Sequence, residues 1–391
     1  MTLPPIDGEF SGQFTALKIP GAPALRWTVR VRTTKPAERV VDLAVDGTGT
    51  RVRAQLGVDN DGNGWWKLTE GELDAAAWFP AASSQVGSAA AGVAARGRIE
   101  LAGAGALVDG RPNGTLTFAW GDGALVQAAD GWTLEGIALR GELVIETAGE
   151  GIKSLEPMEL TVRTVSTARF GARNFLLKAL LNADKTVALT ESRIEIAGGH
   201  VTIEPTTLPL DPLAVAVTLR ITNVGLQDVA ALVPAGLSES RGRINGTVRL
   251  GWSEANGFQL GEGNLVLGST EPAFVRLAPS PGFLSERVGP RISLLPDSFG
   301  VVARWFQPKN PAYPEMQAIE LGRTELRIEN LSVQLTPQGD DQGRTARVKA
   351  TARPAHAGGV VESVTFEVNV SGPLTQVLKL GMNQSFSVET R

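Results

Sequence analysis

The stretch DNDGNGWWKLTE, residues 59–70, is the closest approach in this chain to a metal-binding pattern. Asp59, Asp61, Asn63, Gly64 and Glu70 satisfy the calcium-loop spacing D-x-D-x-N-G-x5-E: three early oxygens, a glycine for the sharp turn and a closing bidentate carboxylate. The surroundings favour another reading. Val52, Ala54, Leu56 and Val58 alternate as a strand before the loop and WWKL continues as one after it, so the two flanking helices of a calcium hand are missing. Asp, Asn and Gly also suit a hairpin tip, because they tolerate left-handed φ and bond their own backbone. A polar hairpin turn is therefore expected, with Asp59, Asp61, Asn63 and Glu70 as a weak calcium candidate and no other metal site. Micromolar Ca²⁺ binding by calorimetry would reverse that preference.

Other chemistry is thinner still. His200 and His356 are the only histidines and stand far apart in Gly/Ala-rich surroundings, whereas metal or acid–base work assembles several such groups. GEGNLVLG (261–268) lacks the Lys-Ser/Thr and the helix that a phosphate loop needs. No G-x-S-x-G, H-E-x-x-H or kinase set occurs. Paired carboxylates for sugar hydrolysis cannot be read from spacing alone. The expectation is a non-enzyme with no catalytic residue and no cofactor.

Composition narrows the classes further. With 391 residues, 42% hydrophobic, 20% charged and a net charge of −4, the chain is globular and not disordered. Its interspersed charges do not make the basic surface that nucleic acid requires. Zero Cys rules out disulfides and thiolate chemistry. No apolar run reaches the about 18 to 20 residues that span a bilayer, and MTLPPIDGEF lacks the features of a signal peptide. The chain is expected to be soluble as it stands and to be part of something longer.

What must position any site is strand. Period-two alternation recurs from end to end. LAVAVTLRIT sets Leu213, Val215, Val217, Leu219 and Ile221 on one side; RINGTVRLGW sets Ile244, Val248 and Leu250; SVTFEVNV sets Val364, Phe366, Val368 and Val370. Val29 and Val31, Val41 to Val45, Val52 to Val58, Leu116 to Trp120 and Val348 to Ala352 do the same. In 257–267 the phase changes between Phe258 and Leu260 and Leu265 and Leu267, which predicts a bulge near Gly261 or Gly263. Similar flips lie between Leu189 and Ile194 and between Ile328 and Leu331. Short helices are expected at 72–79, 226–233 and 373–381. The first two lead into RGRI strands (96–99 and 241–244), an internal repeat of strand, short helix, loop and strand. Residues 272–314 read as a long connection with short helical pieces, its Trp305 and Phe306 anchored to the sheet.

VTLRITNVGLQDVAALVP, followed by SRGRINGTVRLGWSEANGFQLGEGNLVLGSTEPAFVRL, resembles the YdbH-like proteins of the AsmA and TamB superfamily. There a strand enters a short Leu-rich helix, then a G-x-I-x-G strand and an apolar return. ESRIEIAGGHVTIEPTTLPLDP upstream and AIELGRTELRIENLSVQLTP downstream are similar to the same pattern. The resemblance implies an envelope protein of Gram-negative-type bacteria: an anchor in the inner membrane, then a periplasmic β-groove carrying phospholipid. The anchor is not in this sequence, so membrane contact would run through parts absent from it, and other envelope proteins are candidate partners.

With that resemblance, the fold expected is mainly β: long curved antiparallel sheets forming a groove or open barrel-like wall, with a few short helices. The segments would be 1–150 and 151–391, or one continuous domain. Moving a ~16-carbon acyl chain from water to an apolar lining is worth on the order of 13 kcal/mol at ~0.8 kcal/mol per CH₂. A single charge facing the lining costs about 2.5 to 3.5 kcal/mol. Uncharged strand faces meet that demand, so the lining candidates are Val215, Val217, Leu219, Ile221, Ile244, Val248, Leu250, Leu265, Leu267, Val364, Phe366 and Val368. The alternative is a structural or ligand-binding envelope module in which the same side chains form a sealed core.

Overall fold

The computed structural model describes residues 7–14, 20–35, 38–86, 92–129, 131–146, 151–167, 171–230, 237–253, 256–292, 307–356 and 358–371. Strand accounts for 68% of the described residues and helix for 8%, which makes it a mainly β protein as expected. The chain divides into two compact units: Met1–Glu195 with Thr202–Val215 and Ser253–Ala255, and Ile196–Val201 with Ala216–Trp252 and Asn256–Arg391.

The first unit is an antiparallel meander. β1 (Gly8–Phe14), β2 (Leu25–Lys35), β3 (Glu38–Gly47), β4 (Thr50–Asp59) and β5 (Gly64–Asp74) pair in order. After helix α1 (Ala75–Val86), β6 (Val93–Val108), β7 (Arg111–Gln127) and β8 (Trp132–Glu146) continue it. The short β9 (Gly151–Lys153) lies on the end of β8, which also pairs β10 (Met158–Ser166), followed by β11 (Gly171–Leu181). β12 (Thr186–Ile196), β13 (Gly199–Ile203) and β14 (Thr206–Pro209) come next, β14 pairing with β12. Among the described residues β1 pairs only with β2, so the ladder of this unit stays open. The β8–β10 ladder passes the region of residue 150, and the compact units part later in the chain.

The second unit holds β15 (Ala214–Gly225) for most of its length, then helix α2 (Leu226–Ala230) and β16 (Leu237–Arg241). It continues with β17 (Arg243–Ser253), β18 (Gly257–Leu267), β19 (Ala273–Leu277), helix α3 (Ala312–Glu320), β20 (Leu326–Leu335), β21 (Arg344–Pro354) and β22 (Val364–Ser371). β20 is its hub, pairing with β18, β19 and β21.

Bulges bend these strands where the alternation changes phase. The β20–β21 register shifts between Ile328 and Asn330, inside the predicted interval. In β12, Thr190 and Glu191 are both exposed, and in β18, Leu260 and Gly261 are both half-buried, so burial changes phase at the two other predicted places. A further set crosses the first unit: register shifts at Arg96/Arg98 in β6 and around Trp120–Ala124 in β7, with Asp122, Gly136 and Asn174 at positive φ. Together they crease the meander from β6 to β11.

The RGRI repeat has a backbone basis. Gly97 (φ 119°) and Gly242 (φ 127°) both adopt left-handed conformations, the first at a bulge in β6, the second between β16 and β17. Each follows a strand, a short helix and a connection.

Two local expectations are corrected. The helix expected over 72–79 begins at Ala75, because Glu72 and Leu73 pair with β6 and the Asp74 carboxylate accepts the Ala76 N–H (2.9 Å) as an N-cap. Residues 272–314 are not all connection, since Ala273–Leu277 is a strand paired on both sides by β16 and β20. The helix expected at 373–381, Trp305 and Phe306 lie outside the described residues, as do residues 231–233 of the second expected helix.

Candidate functional site: the apolar sheet faces

In the first unit, strand register turns separate alternations into continuous rows. Val29, Leu43, Ala54, Leu68, Gly103, Leu116 and Leu143 stand opposite one another from β2 to β8. Leu73, Ile99, Trp120, Leu139, Leu160 and Leu177 form a second row from β5 to β11. A third runs Val31, Val41, Leu56, Trp66, Gly105, Gly114, Ile145 and Ile152. No row contains a charge. Except for Ile152, which is exposed, the side chains larger than alanine in these rows are half-buried.

Aromatic rings smooth this face. The Phe118 ring lies against Gly141, where a Cβ would come within 2.7 Å of it, and the Trp66 ring lies against Gly103, where the distance would be 3.0 Å. The polar tips are turned into the sheet: the Trp66 Nε1–H donates to the Asn113 carbonyl (3.1 Å) and the Trp120 Nε1–H to the Arg96 carbonyl (3.2 Å). With the N–H groups satisfied by backbone, the rings present carbon only.

The cross-strand ion pairs occupy the opposite face. Arg30 meets Glu9 (2.7 Å), Arg32 meets Asp42, Arg53 meets Asp46 (2.7 Å), Arg98 meets Glu72 (3.4 Å) and Arg140 meets Glu159 (2.9 Å). Such exposed pairs are each worth about 0–1 kcal/mol. Their larger effect is on register, since a one-residue slip would carry every charge onto the apolar face.

The second unit differs in how its apolar side chains are covered. Val224, Leu226, Ile244, Ala273, Val275, Ile319, Leu326, Ile328, Leu331, Ala352, Val361 and Val364 cluster as a buried core, with Ala312 and Met316 of α3 packed on it. The cluster lies wholly in this unit. α3 is held by its glutamates: Glu315 accepts from the Val360 and Val361 N–H groups (2.9 and 2.8 Å), Glu320 from Leu284 and Ser285.

The sequence-derived lining candidates therefore separate. Ile244 and Val364 belong to the core, Ile221, Leu265, Leu267 and Phe366 pack against it, and Val248 is also buried. Val215, Val217, Leu219 and Leu250 are half-buried and outside that cluster, and Val368 is 49% exposed. Sequence reasoning did not nominate the rows of the first unit. Their alternation was visible, but the register that joins them was not.

The calcium candidate is a hairpin tip between β4 and β5. Asp59 Oδ1 accepts from the N–H groups of Asp61 (2.9 Å) and Asn63 (2.8 Å), so part of its carboxylate already serves the turn. Asn63 Oδ1 accepts from the Asp109 N–H (3.2 Å) of the neighbouring turn. Glu70 lies along β5, about 20 Å from Gly64 at ~3.3 Å per residue, beside Arg51 at 3.5 Å. Loop and Glu70 are thus apart. His200 sits in β13, and His356 is exposed beyond the end of β21. Among the described residues no group of three or more His, Asp or Glu could hold a metal ion, and no helix is long and apolar enough to cross a membrane. A cavity of about 330 Å³ opens at the crease, lined by Arg96, Asp122, Glu135 and Arg163 with Gly123, Ala124 and Gly136.

The sequence profile of one family, described as "YdbH-like: Intermembrane phospholipid transport protein YdbH", matches residues 3–292. No curated protein and no solved structure matches the chain.

Proposed function

The chain belongs to the YdbH-like family of intermembrane phospholipid transport proteins, and from that premise we propose that the apolar rows of its first unit hold phospholipid acyl chains in transit. The family places it in the cell envelope with phospholipid as its substrate. The finer reading is of a non-enzymatic carrier in the periplasm, anchored to the inner membrane.

One observation carries the proposal: the rows are continuous, uncharged and half-buried, while the clustered core lies in the other unit. An acyl chain exchanging between a bilayer and a protein needs a lining nearly as apolar as the bilayer, because transfer into a poorer one forfeits ~0.8 kcal/mol per CH₂. The indole N–H groups turned into backbone and the ion pairs kept on the other face supply such a lining. Val215, Val217 and Leu219, half-buried on β15, fit the same role. Ile244 and Val364 act instead as core.

Native mass spectrometry of the purified chain tests this. Phospholipid should accompany the wild type and fall at least about tenfold in Phe118→Asp, which places a charge on the rows. Ala119→Asp, exposed on the other face, should keep it. Equal loss in both variants, or wild type without lipid, would remove the proposal. The sealed-module reading is favoured by the core of the second unit and predicts lipid-free protein.

A further inference from the structure

At one end of the first unit the short β9 and the turns beside it hold aliphatic side chains outward. Leu155 is 65% exposed, Ile152 50% and Leu210 41%. They are neighbours through the backbone: the Ser154 N–H donates to the Leu181 carbonyl (2.9 Å), the Leu181 N–H to Ser154 Oγ (2.8 Å), and the Leu210 N–H to the Lys185 carbonyl (2.9 Å). Thus the loop after β9 is bound to the end of β11, and Leu210 to the turn that follows β11. Ile152 also stands opposite Ile145, the last β8 residue of one apolar row.

We propose that these turns touch the surface of a phospholipid bilayer and that the apolar rows open onto it there. The inference rests on the acyl-holding reading of the first unit and adds where lipid enters or leaves. A bilayer suits the turns better than a protein partner. A few separate side chains offer well under the ~800 Å² per partner that a stable protein interface buries, whereas shallow insertion needs only aliphatic tips beside polar backbone. The charges nearby do not select anionic lipid: Lys153 and Lys185 are ion-paired with Glu146 and Asp211, and Glu156 and Asp184 add negative charge. Contact should therefore be apolar and nearly independent of salt.

Co-sedimentation of the whole chain with phosphatidylcholine vesicles, at low salt and at high salt, tests the proposal. Wild type should sediment with the vesicles in both. Ile152→Asp and Leu155→Asp should each weaken binding about tenfold, and Val360→Asp, altering a 57% exposed valine of the second unit, should not. Leu155→Ser removes the apolar surface without adding charge and should act in the same direction, so a misfolded Asp variant does not decide the matter. Wild-type binding in Ile152→Asp, Leu155→Asp and Leu155→Ser would overturn the inference, as would binding that high salt abolishes. A wild-type dimer that Leu155→Ser converts to monomer would overturn it in favour of a second copy. Failure here is separable from failure of the carrier reading, because Phe118→Asp should still bind vesicles while losing its co-purified lipid.

Discussion

Glu320 shows how a charge is kept inside an apolar unit. Its side chain is 1% exposed, yet Oε2 accepts from the Leu284 and Ser285 N–H groups (2.9 Å each) and Oε1 from Ser285 Oγ (2.7 Å). Burial pushes the carboxyl pKa up, and these hydrogen bonds outweigh it, holding the group at about 2 against an ordinary 4.5. A folded-state pKa below the unfolded one stabilises the fold above the unfolded value, and that contribution fades as pH falls through the folded value. Glu320→Gln should therefore lower stability by about 1–3 kcal/mol at neutral pH, and the gap to wild type should narrow between pH 4.5 and 2. Thermal melts across that range measure it, and a gap that widens in acid would contradict the account. At the same scale, Ile244→Asp places a charge in the sealed core and should unfold the protein at a cost of several kcal/mol. Phe118→Asp, half-buried on an open face, should melt close to wild type.

The elements of the repeat depend on one glycine each. A Cβ at Gly242 would lie 2.5 Å from the Ala273 Cβ at φ 127°, so Gly242→Ala should destabilise by roughly 1–3 kcal/mol. Gly121 has no neighbour within 4 Å of its would-be Cβ, and Gly121→Ala should be nearly neutral in the same denaturation series. Most strands were legible in sequence because an apolar/polar period of two has no other ready explanation, and the phase flip at 328–331 announced a bulge. Two things were not legible. Asp74 reads as part of a helical pattern until its N-cap role is seen, since Leu73 falls at helical spacing from Ala76 and Ala77. More consequentially, Ile244 and Leu116 sit in equally regular alternations, although the first is core and the second lies on an open face. Alternation reports that a face is apolar. What covers that face depends on long-range pairing, such as Leu116 with Leu143 or Ile328 with Ala273.

At the scale of the whole molecule, the two units should respond differently to lipid. Apart from β15, where Val217 and Leu219 stay half-buried outside the core, the second unit packs a cluster of apolar side chains against one another and against α3, and that core has little to gain from a ligand. The first unit leaves long rows half-buried, and a bound acyl chain would complete the coverage that the protein itself does not supply. By linkage, a ligand that binds only the folded form raises stability by RT ln(1 + [L]/Kd), about 2.7 kcal/mol at a hundredfold excess over Kd. That gain should appear where the ligand sits. Hydrogen exchange followed by mass spectrometry, on delipidated and phospholipid-loaded protein, should show slower exchange in β5 to β8 and β10 to β11 on loading. β17 and β19 to β21 should stay unchanged within error, because their amides open with a core that lipid does not touch. The two strands that carry the repeat glycines give an internal comparison, since β6 should gain protection and β17 should not. Equal protection in both units, or protection confined to the second, would mean that lipid binds elsewhere and that the half-buried rows are only the surface of an ordinary sheet.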